Sequence, residues 1–311
     1  MDRPGPVTAA LSRRVADFAV EFGLGDRVCV GLSGGTDSLA LTAACVAAGL
    51  DVHAVVVDHR LQPGSHAVAA TAAAVAAGWG ATSEVIAVDV DTAGGPEAAA
   101  RRARYAAFDS IRDGRPVLLA HTRDDQAETV LLGLARGSGL RSIAGMAPWR
   151  APWGRPLLGV ARPETEAACT ELGIEPYRDP HNVDPRFTRV RLRREVLPLL
   201  EDVCQGGVAA ALARTADQVR EADAALDEIS AGLTVDSPDL ARWPVAIRTR
   251  VVRGWLLRVG ATEPSAATIE AVDRLVCGRT RDAQVAIGGD REHRLVAMLI
   301  DGRLQTGSTP R

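Results

Sequence analysis

The sequence predicts an α/β fold with a doubly wound, mostly parallel sheet, followed by a smaller, mainly helical domain that ends in a β-hairpin. Short apolar runs alternate with helical patterns up to about residue 160, which is typical of a parallel sheet covered by helices. This alternation stops beyond about residue 205, where helical patterns follow one another. We therefore predict two domains, residues 1–205 and residues 206–311.

Four apolar segments in the first domain have the length and β-branched composition of buried strands. They are residues 28–32, 52–57, 82–88 and 117–120. Helices are predicted between and after them, among others at residues 98–111 and 122–135. Polar residues stand where strands end, for example Asp58 and His121. Because ligands of open α/β sheets bind beyond the carboxyl ends of the strands, we expect these residues to share one crevice.

A short polar segment joins the first predicted strand to the helix after it. Its residues are Ser33, Gly34, Gly35, Thr36, Asp37 and Ser38. Two glycines let the backbone turn tightly and aim N–H groups at an anion, and the start of the next helix adds partial positive charge. An ordinary turn would also favour these residue types. The flanking strand and helix, with hydroxyls and one carboxylate between them, instead indicate a site for a magnesium-bound triphosphate.

The composition excludes several other kinds of site. All 36 basic residues are arginine, so a Walker loop with its lysine is impossible, and no G-x-G-x-x-G opens a helix. The five cysteines form no C-x-x-C pair, so we predict buried thiols rather than a zinc or redox motif. The first residues have no signal-peptide core, and no stretch approaches the roughly 20 apolar residues of a membrane span. We therefore expect a cytoplasmic enzyme.

A second polar cluster begins at His121, where the fourth predicted strand ends. His121, Asp125 and Glu128 are spaced i, i+4 and i+7, so they can share one helix face, which we expect to point into the crevice. Each residue alone has a local explanation, as a cap or as a carboxylate favoured by the helix dipole. Opposite a phosphate loop, they together indicate magnesium binding and proton transfer. The residues predicted to face the core are Ala127, Leu131 and Leu134.

The segment SGGTDS resembles the phosphate loop of the N-type ATP pyrophosphatases, the PP-loop superfamily with its adenine nucleotide alpha hydrolase-like fold. These enzymes cleave ATP to AMP and pyrophosphate while adenylating a carbonyl oxygen. Further blocks, in this order, resemble the tRNA(Ile)-lysidine synthase family. They are VDHRLQPGSH (57–66), ARRARY (100–105), HTRDDQAET (121–129), GLRSIAGM (139–146), RPLL (155–158) and DPHNVDPRFTRVRLR (179–193). The length is similar to that of the short form of this family.

The resemblance implies a ligase that uses ATP to adenylate the C2 carbonyl oxygen of the wobble cytidine in isoleucine tRNA with a CAU anticodon. The ε-amine of free L-lysine then displaces AMP and gives lysidine. Residues 33–38 would bind ATP, with adenine near the backbone of Val56 and Val57. Asp37 and Asp125 would bind Mg²⁺ and take part in catalysis, and His121 would support the intermediate or transfer a proton. Asp58, Asp124 and Glu128 are the candidates for the lysine pocket.

Several arginines are candidates for contacts with tRNA or with phosphate, because the forked guanidinium suits phosphate oxygens. They are Arg101, Arg141, Arg189, Arg191, Arg193 and Arg194. The net charge of −3 and the pI near 6.1 give no global sign of nucleic-acid binding, and arginine runs are often solvated helix faces. The family often has asparagine where this chain has Val190. Any contact made by that amide would be absent here.

The second predicted domain shows no catalytic cluster and is expected to position tRNA. A helical pattern starts near residue 208, a second surrounds Trp255, and Ser265 is predicted to cap a third that ends at Gly278. Residues 285–300 are predicted to form a β-hairpin. A homodimer could help this short form to bind the acceptor end of tRNA.

Two other classes of function remain compatible with the phosphate loop. The first is another PP-loop enzyme that adenylates a carbonyl, either a tRNA thiolase or an amide-forming synthetase. The missing cysteine pairs argue against thiolation, and residues 179–193 argue against the rest. The second is a nucleotide-binding or RNA-binding module without catalysis. Such a module would need no carboxylates around the loop, and Asp37 and Asp125 are both present.

Overall fold

The computed structural model describes residues 4–60, 62, 64–89, 95–137, 139–237, 239–278, 284–289 and 292–310. The chain divides into two compact units, Met1–Gln218 and Val219–Arg311. One helix, Val208–Ala231, runs across this division. The boundary between residues 205 and 206 therefore stays a prediction.

The first unit contains a six-stranded sheet with the strand order β3-β2-β1-β4-β6-β5. Its strands are β1 Arg27–Gly31, β2 Asp51–Asp58, β3 Thr82–Ala87, β4 Val117–Leu118, β5 Trp149–Arg150 and β6 Trp153–Gly154. Neighbouring strands are parallel except β5 and β6. The predicted mostly parallel sheet is confirmed. Strands β5 and β6 were not predicted, because each has two residues and neither belongs to a run of aliphatic residues. The equally short β4 stands in the apolar run of residues 117–120.

Helices cover both faces of this sheet. They are α1 Pro6–Glu21, α2 Thr36–Ala47, α3 Ser65–Gly78, α4 Pro96–Ile111, α5 Arg123–Ala135, α6 Leu140–Ile143 and α7 Arg162–Glu171. After a 3-10 turn at Pro180–Val183 come α8 Thr188–Arg191, a π-helical turn Leu192–Val196 and α9 Leu197–Val203.

Alternation along the strands divides the interior into two cores. Val28 and Val30 of β1 pack in one core with residues of α1, α2, α3 and α7, whereas Cys29 packs in the other with Phe108 of α4. Successive side chains of a strand point to opposite faces, so one strand serves both layers. Leu41 and Leu118 are fully buried in the first core. Burying such a side chain stabilises the fold by about 1.5–3 kcal/mol.

The apolar face of α5 differs from the prediction. Ala127 is fully buried as expected, but Leu134 is 48% exposed, and Val130 and Gly133 are buried instead. A Cβ atom on Gly133 would lie 2.3 Å from the carbonyl oxygen of Ser142, so α5 meets the α6 segment there. The buried side of α5 is set by this close approach, which hydrophobic periodicity does not show.

The block GLRSIAGM is anchored to α5 through its last two residues. The side chain of Gln126 donates to the carbonyl oxygen of Met146 (2.9 Å) and accepts from its amide (2.8 Å). Gly145 has φ +62°, and a Cβ atom there would lie 2.6 Å from Oε1 of Gln126. A glycine is therefore required both by the backbone conformation and by the space beside Gln126.

The second unit contains α11 Val245–Arg258, α12 Ala266–Val276 and an antiparallel sheet of β7 Gln284–Gly289, β8 His293–Ile300 and β9 Arg303–Pro310. The helix α10 Val208–Ala231 contributes its second half. Ser265 caps α12 as predicted, since its hydroxyl accepts from the Thr268 amide at 3.1 Å. The predicted hairpin is confirmed as β7 and β8. Asp290 lies outside the described residues. Strand β9 was not predicted.

Two further sequence expectations can be compared with the structure. Cys29, Cys45 and Cys169 are buried as predicted, but Cys204 is exposed after the end of α9 and Cys277 is partly exposed, so the prediction of buried thiols is wrong for these two. In the part of the chain that the structure describes, no single helix is long and apolar enough to cross a membrane. One pair joined at a 97° bend, Thr188–Val203 with Val208–Ala231, passes the same test of length and composition.

Candidate active site

A cavity of about 720 Å³ opens at the carboxyl ends of β1, β2 and β4. Its walls include the residues after these strands, the first turn of α2, and parts of α5 and α7. Parallel strands end at the same edge of a sheet, which explains why segments distant in sequence meet here. Of the residues predicted from the sequence, the cavity is lined by Ser33, Gly35, Thr36, Asp37, Ser38, Val56, Val57, Asp58, His121, Asp125 and Arg193.

The loop between β1 and α2 is closed by its own hydroxyl groups. The Ser33 amide donates to Oγ of Ser38 (3.1 Å), and that hydroxyl donates to the carbonyl oxygen of Gly35 (2.9 Å). Gly34 has φ +80°, a left-handed conformation that glycine adopts without strain. Gly35 is the N-cap residue of α2 and has no side chain to cap the helix. The first amides of α2 can therefore donate to an anion in the cavity.

Asp37 lies in the first turn of α2. Its side chain is 23% exposed. Its Oδ1 accepts a hydrogen bond from the Thr165 hydroxyl at 2.5 Å, and its Oδ2 lies 3.6 Å from Nε of Arg162. Burial raises the pKa of Asp37, while Thr165 and Arg162 oppose this rise. The carboxylate is thus held in one orientation by α7.

Asp125 is the most heavily hydrogen-bonded carboxylate of the cavity. Its Oδ2 accepts from the Thr122 amide (2.8 Å) and hydroxyl (3.0 Å), which caps α5. Its Oδ1 accepts from Nη2 of Arg162 and from Nη2 of Arg193, both at 3.1 Å. Burial alone would raise the pKa of Asp125, but Arg162, the Thr122 amide and Arg193 outweigh it and hold the pKa below its usual value. Asp125 is therefore a stable anion at neutral pH.

Glu128 does not point into the cavity, contrary to the prediction. It is fully buried, and its Oε1 accepts from Nε of Arg193 at 2.7 Å. Its Oε2 lies 3.7 Å from Nη1 of Arg189 and has no hydrogen-bond partner among the described residues. Burial raises the pKa of Glu128, and Arg193 opposes the rise. Glu128 follows Asp125 by about one turn of α5, and its carboxylate binds Arg193 instead of lining the cavity. Helical spacing alone does not show this contact.

His121 lines the cavity immediately before Thr122, the N-cap residue of α5. Burial, with smaller effects of Arg155 and Arg104, lowers the pKa of His121 to about 4, although Asp125 opposes the shift. Its Nδ1 is buried and has no hydrogen-bond partner among the described residues. The imidazole is therefore neutral at physiological pH and can accept a proton. Burial also lowers the pKa of His59, another cavity residue, and its Nδ1 has no hydrogen-bond partner among the described residues. His59 was not among the predicted site residues.

Only one of the candidate arginines reaches the cavity in the described part of the chain. Arg193 lies there between Asp125 and Glu128. Arg191 pairs with Glu195 at 2.9 Å, and Arg101 stacks over the Tyr105 ring at 4.7 Å. The remaining candidates lie outside the cavity, at Arg141, Arg189 and Arg194. Val190 is buried, so the apolar side chain at the usual asparagine position is part of the packing.

Arg162 and Thr165 of α7 were not predicted, although both contact the predicted carboxylates. In addition to the side-chain contacts of Arg162, its backbone amide donates a hydrogen bond to Oδ2 of Asp124 at 2.9 Å. Pro163 and Glu164 are signals of a helix start in the sequence. Nothing in the local pattern, however, shows that this helix start faces Asp37, which lies 128 residues away from Thr165.

The outer wall of the cavity is tied together by polar contacts around Gln62. Its Nε2 donates to Oδ1 of Asp179 at 2.9 Å and lies 2.9 Å from Nδ1 of His181. Its Oε1 accepts from the Tyr177 hydroxyl at 3.2 Å, and the Tyr177 amide donates to the carbonyl oxygen of Gly34. Asp179 also accepts from the His181 amide at 2.8 Å and thereby caps the 3-10 turn Pro180–Val183.

A magnesium ion fits this cavity only together with another source of oxygen ligands. The described residues contain no group of three His, Cys, Asp or Glu side chains arranged to hold a metal. Magnesium, however, is usually bound by one or two carboxylates together with substrate phosphates. Asp37 and Asp125 supply two hard oxygen donors on either side of Arg162. The donor set therefore suits a magnesium ion that arrives with a phosphate ligand.

Comparison with known proteins agrees with this architecture. Residues 7–200 match the PP-loop domain family, and residues 236–297 match the TilS substrate binding domain family. A solved U34-tRNA thiolase from Methanococcus maripaludis, which carries a 4Fe–4S cluster, is similar with a TM-score of 0.55 and 16% identity. It covers 69% of this chain and 80% of its own. At that identity the likeness shows the fold alone.

The sequence relatives are far more similar. The chain is 54% identical to the tRNA(Ile)-lysidine synthase of Rhodococcus erythropolis over 312 residues, which cover 97% of this chain and 96% of the relative. It is 56% identical to that of Nocardia farcinica over 292 residues, which cover 91% of this chain and 92% of the relative. With identity at this level along nearly the whole chain, and with a phosphate loop and two carboxylates at one cavity, the chain belongs to the tRNA(Ile)-lysidine synthase family.

Proposed function

We propose that the chain ligates L-lysine to C2 of the wobble cytidine in isoleucine tRNA with a CAU anticodon. ATP adenylates the cytidine first, lysine then displaces AMP, and the products are lysidine, AMP and pyrophosphate. The observation that carries this function is the joint position of the phosphate loop, Asp37 and Asp125 at one cavity of a lysidine synthase family member.

ATP is the substrate that the PP-loop domain uses, and its phosphates suit the start of α2. The amides of the first turn and the hydroxyls of Ser33 and Ser38 can donate to phosphate oxygens there. Val56 and Val57 at the end of β2 line the same cavity, so we assign the adenine contact to their backbone. This arrangement would direct the α-phosphate towards Asp37 of α2 and Asp125 of α5.

Asp37 and Asp125 are our proposed ligands of Mg²⁺. When bound, the ion supplies positive charge that stabilises the departing pyrophosphate. The Thr165 hydroxyl donates to Oδ1 of Asp37, and the Thr122 hydroxyl donates to Oδ2 of Asp125. These hydrogen bonds hold the two carboxylates in place. His121 is the proposed proton acceptor for the attacking amine, because its imidazole is neutral and faces the cavity.

Among the three candidates for the lysine pocket, Asp58 has the best position. It lines the cavity at the end of β2, whereas Glu128 is bound by Arg193 and Asp124 accepts from the Arg162 amide. The Arg60 amide donates to Oδ1 of Asp58 at 2.9 Å and helps to hold the pKa of Asp58 below its usual value despite burial. We therefore assign Asp58 to an ammonium group of lysine.

Isoleucine tRNA is the macromolecular partner that the family membership supports, and the match to the TilS substrate binding domain supports tRNA positioning by residues 236–297. Three further candidate arginines are close in sequence to the cavity residue Arg193: Arg189 and Arg191 precede it, and Arg194 follows it. They remain proposed phosphate contacts, as do Arg101 and Arg141. A homodimer and a cytoplasmic location stay predictions from the sequence.

The direct experiment is incorporation of labelled lysine into a CAU-anticodon isoleucine tRNA in the presence of ATP and Mg²⁺. The methionine tRNA with the same anticodon is the control substrate, and Asp37→Asn is the control enzyme. We expect label in the isoleucine tRNA with the wild-type enzyme only. Release of AMP that depends on tRNA, without lysine incorporation, would contradict the proposal and indicate another PP-loop reaction.

A further inference from the structure

We infer that Arg162 is an exchangeable cation, which occupies the position between Asp37 and Asp125 until a divalent ion and ATP replace it. In this arrangement the guanidinium group of Arg162 bridges the two carboxylates, and the divalent ion takes over that role when ATP binds. The inference rests on the proposed function, because it assumes that Asp37 and Asp125 bind the divalent ion that accompanies ATP.

The first step concerns the capacity of Asp125 to bind anything further. A carboxylate offers about four lone-pair positions. Oδ2 of Asp125 accepts two hydrogen bonds from Thr122, and Oδ1 accepts one from Arg162 and one from Arg193. All acceptor positions of Asp125 are therefore in use. A metal ion can bind Asp125 only after one of these donors has left.

Asp37 differs from Asp125 in this respect. Its Oδ1 accepts from Thr165, but Oδ2 faces Nε of Arg162 at 3.6 Å, which is longer than a hydrogen bond. Asp37 therefore keeps free acceptor positions on the cavity side. A metal ion can first bind Asp37 and the phosphates, and Asp125 completes the site later.

Arg162 is the donor that can leave Asp125 most easily. Arg193 is also bound through Nε to the fully buried Glu128 at 2.7 Å, so it has a second anionic partner behind the cavity. The guanidinium group of Arg162 contacts only Asp37 and Asp125 among the described residues, and its side chain is 19% exposed on the cavity wall. The two Thr122 donors belong to the helix cap and are fixed by the backbone.

The charges remain compensated in both states. Without nucleotide, Arg162 and Arg193 face the two carboxylates. When a divalent ion replaces Arg162 at the carboxylates, the freed guanidinium lies in the cavity that receives the phosphates. Its forked donors suit phosphate oxygens, so the arginine gains a new anionic partner as it loses the old one. Arg162 therefore couples metal binding to nucleotide binding.

The inference is tested by Mn²⁺ binding to the full-length enzyme without nucleotide, followed by the electron paramagnetic resonance signal of free Mn²⁺. We expect Arg162→Gln to bind Mn²⁺ about tenfold more tightly than the wild type, because a competing charge-assisted hydrogen bond has been removed. Saturating ATP should reduce this difference. The matched control is Arg27→Gln, which removes an arginine from a 3.6 Å ion pair with Asp51 at the opposite end of β1 and should leave Mn²⁺ affinity unchanged.

Unchanged or weaker Mn²⁺ binding by a folded Arg162→Gln variant would overturn the inference, since a merely structural role of Arg162 predicts a loss of affinity. If Arg162→Gln does not fold, the titration is repeated with Arg162→Met, which keeps the aliphatic part of the side chain. Lysidine formation is measured with the same wild-type preparation. Its absence would contradict the proposed function, whereas the Mn²⁺ titration alone decides whether Arg162 competes with the metal.

Discussion

The Thr165 hydroxyl donates a hydrogen bond to Oδ1 of Asp37 at 2.5 Å and thereby joins α7 to the first turn of α2. Thr165 is fully buried, and Cys169 one turn later contacts the carbonyl oxygen of Thr36. The start of α2, which follows the phosphate loop, is thus supported from α7. This support fixes the direction in which Asp37 presents its free oxygen to the cavity.

Replacing Thr165 by valine should weaken catalysis more than folding. Valine has the same shape but leaves Oδ1 of Asp37 without its donor. Because the Asp37 side chain is 23% exposed, the cost to stability should lie at the lower end of the range for an unsatisfied polar group, about 1 kcal/mol. We expect kcat to fall by about tenfold or more and thermal stability to decrease modestly. Steady-state kinetics with varied ATP and Mg²⁺ measures the effect. Thr165→Ser keeps the hydroxyl and should retain most activity; equal kinetics of the valine variant would show that the contact is unimportant.

Glu128→Gln should destabilise the first unit because it removes one of the two negative partners of Arg193, which keeps Asp125. Glu128 is fully buried and Arg193 is 31% exposed, so the loss should be that of a hydrogen bond to a charged group, about 1.5–3 kcal/mol. Thermal unfolding followed by circular dichroism tests this. The exposed pair Arg191 and Glu195 offers the control, since Glu195→Gln should leave the transition unchanged. A Glu128→Gln transition at the wild-type temperature would contradict the expected role.

His121 should make the protein less stable as the pH falls. Its folded pKa is about 4, below the ordinary value of 6.5, so the unfolded chain binds more protons between these values. Stability is therefore fully present above pH 6.5 and is lost as the pH decreases towards 4. Two and a half pH units correspond to at most roughly 3.4 kcal/mol. Urea unfolding of the wild type and of His121→Gln from pH 4 to 7 should show a shallower acid limb for the variant.

The second unit should depend on one buried ion pair. Arg248 of α11 is 4% exposed and forms two hydrogen bonds of 2.8 Å with Asp273 of α12. Asp273→Asn leaves this arginine without its anion, a change of about 3–5 kcal/mol in buried pairs. We expect faster hydrogen exchange across residues 245–276, measured by mass spectrometry. The double variant Arg248→Met with Asp273→Leu should recover protection, and unchanged exchange in Asp273→Asn would contradict the dependence.

The sequence predicted the elements whose signals are local. The strands at residues 28–32 and 52–57, the Ser265 cap and the phosphate loop each depend on neighbouring residues, and all have the expected local structure. The contacts of Arg162 and Thr165 with Asp37 join residues more than a hundred positions apart and leave no local pattern. The direction of Glu128 and the exposure of Leu134 were missed for a related reason. Contacts of α5 with α6 and with Arg193 decide which of its side chains are buried, and the hydrophobic period of the helix does not show these contacts.

The most direct measurement follows the α-phosphate of labelled ATP in the presence of isoleucine tRNA and Mg²⁺, first without lysine and then with it. If the cavity adenylates the cytidine, label becomes attached to the tRNA before lysine is added and is released as AMP afterwards, and Asp37→Asn shows neither step. Release of pyrophosphate that needs lysine but no tRNA would show that lysine is adenylated instead, and would contradict the proposed order of the reaction.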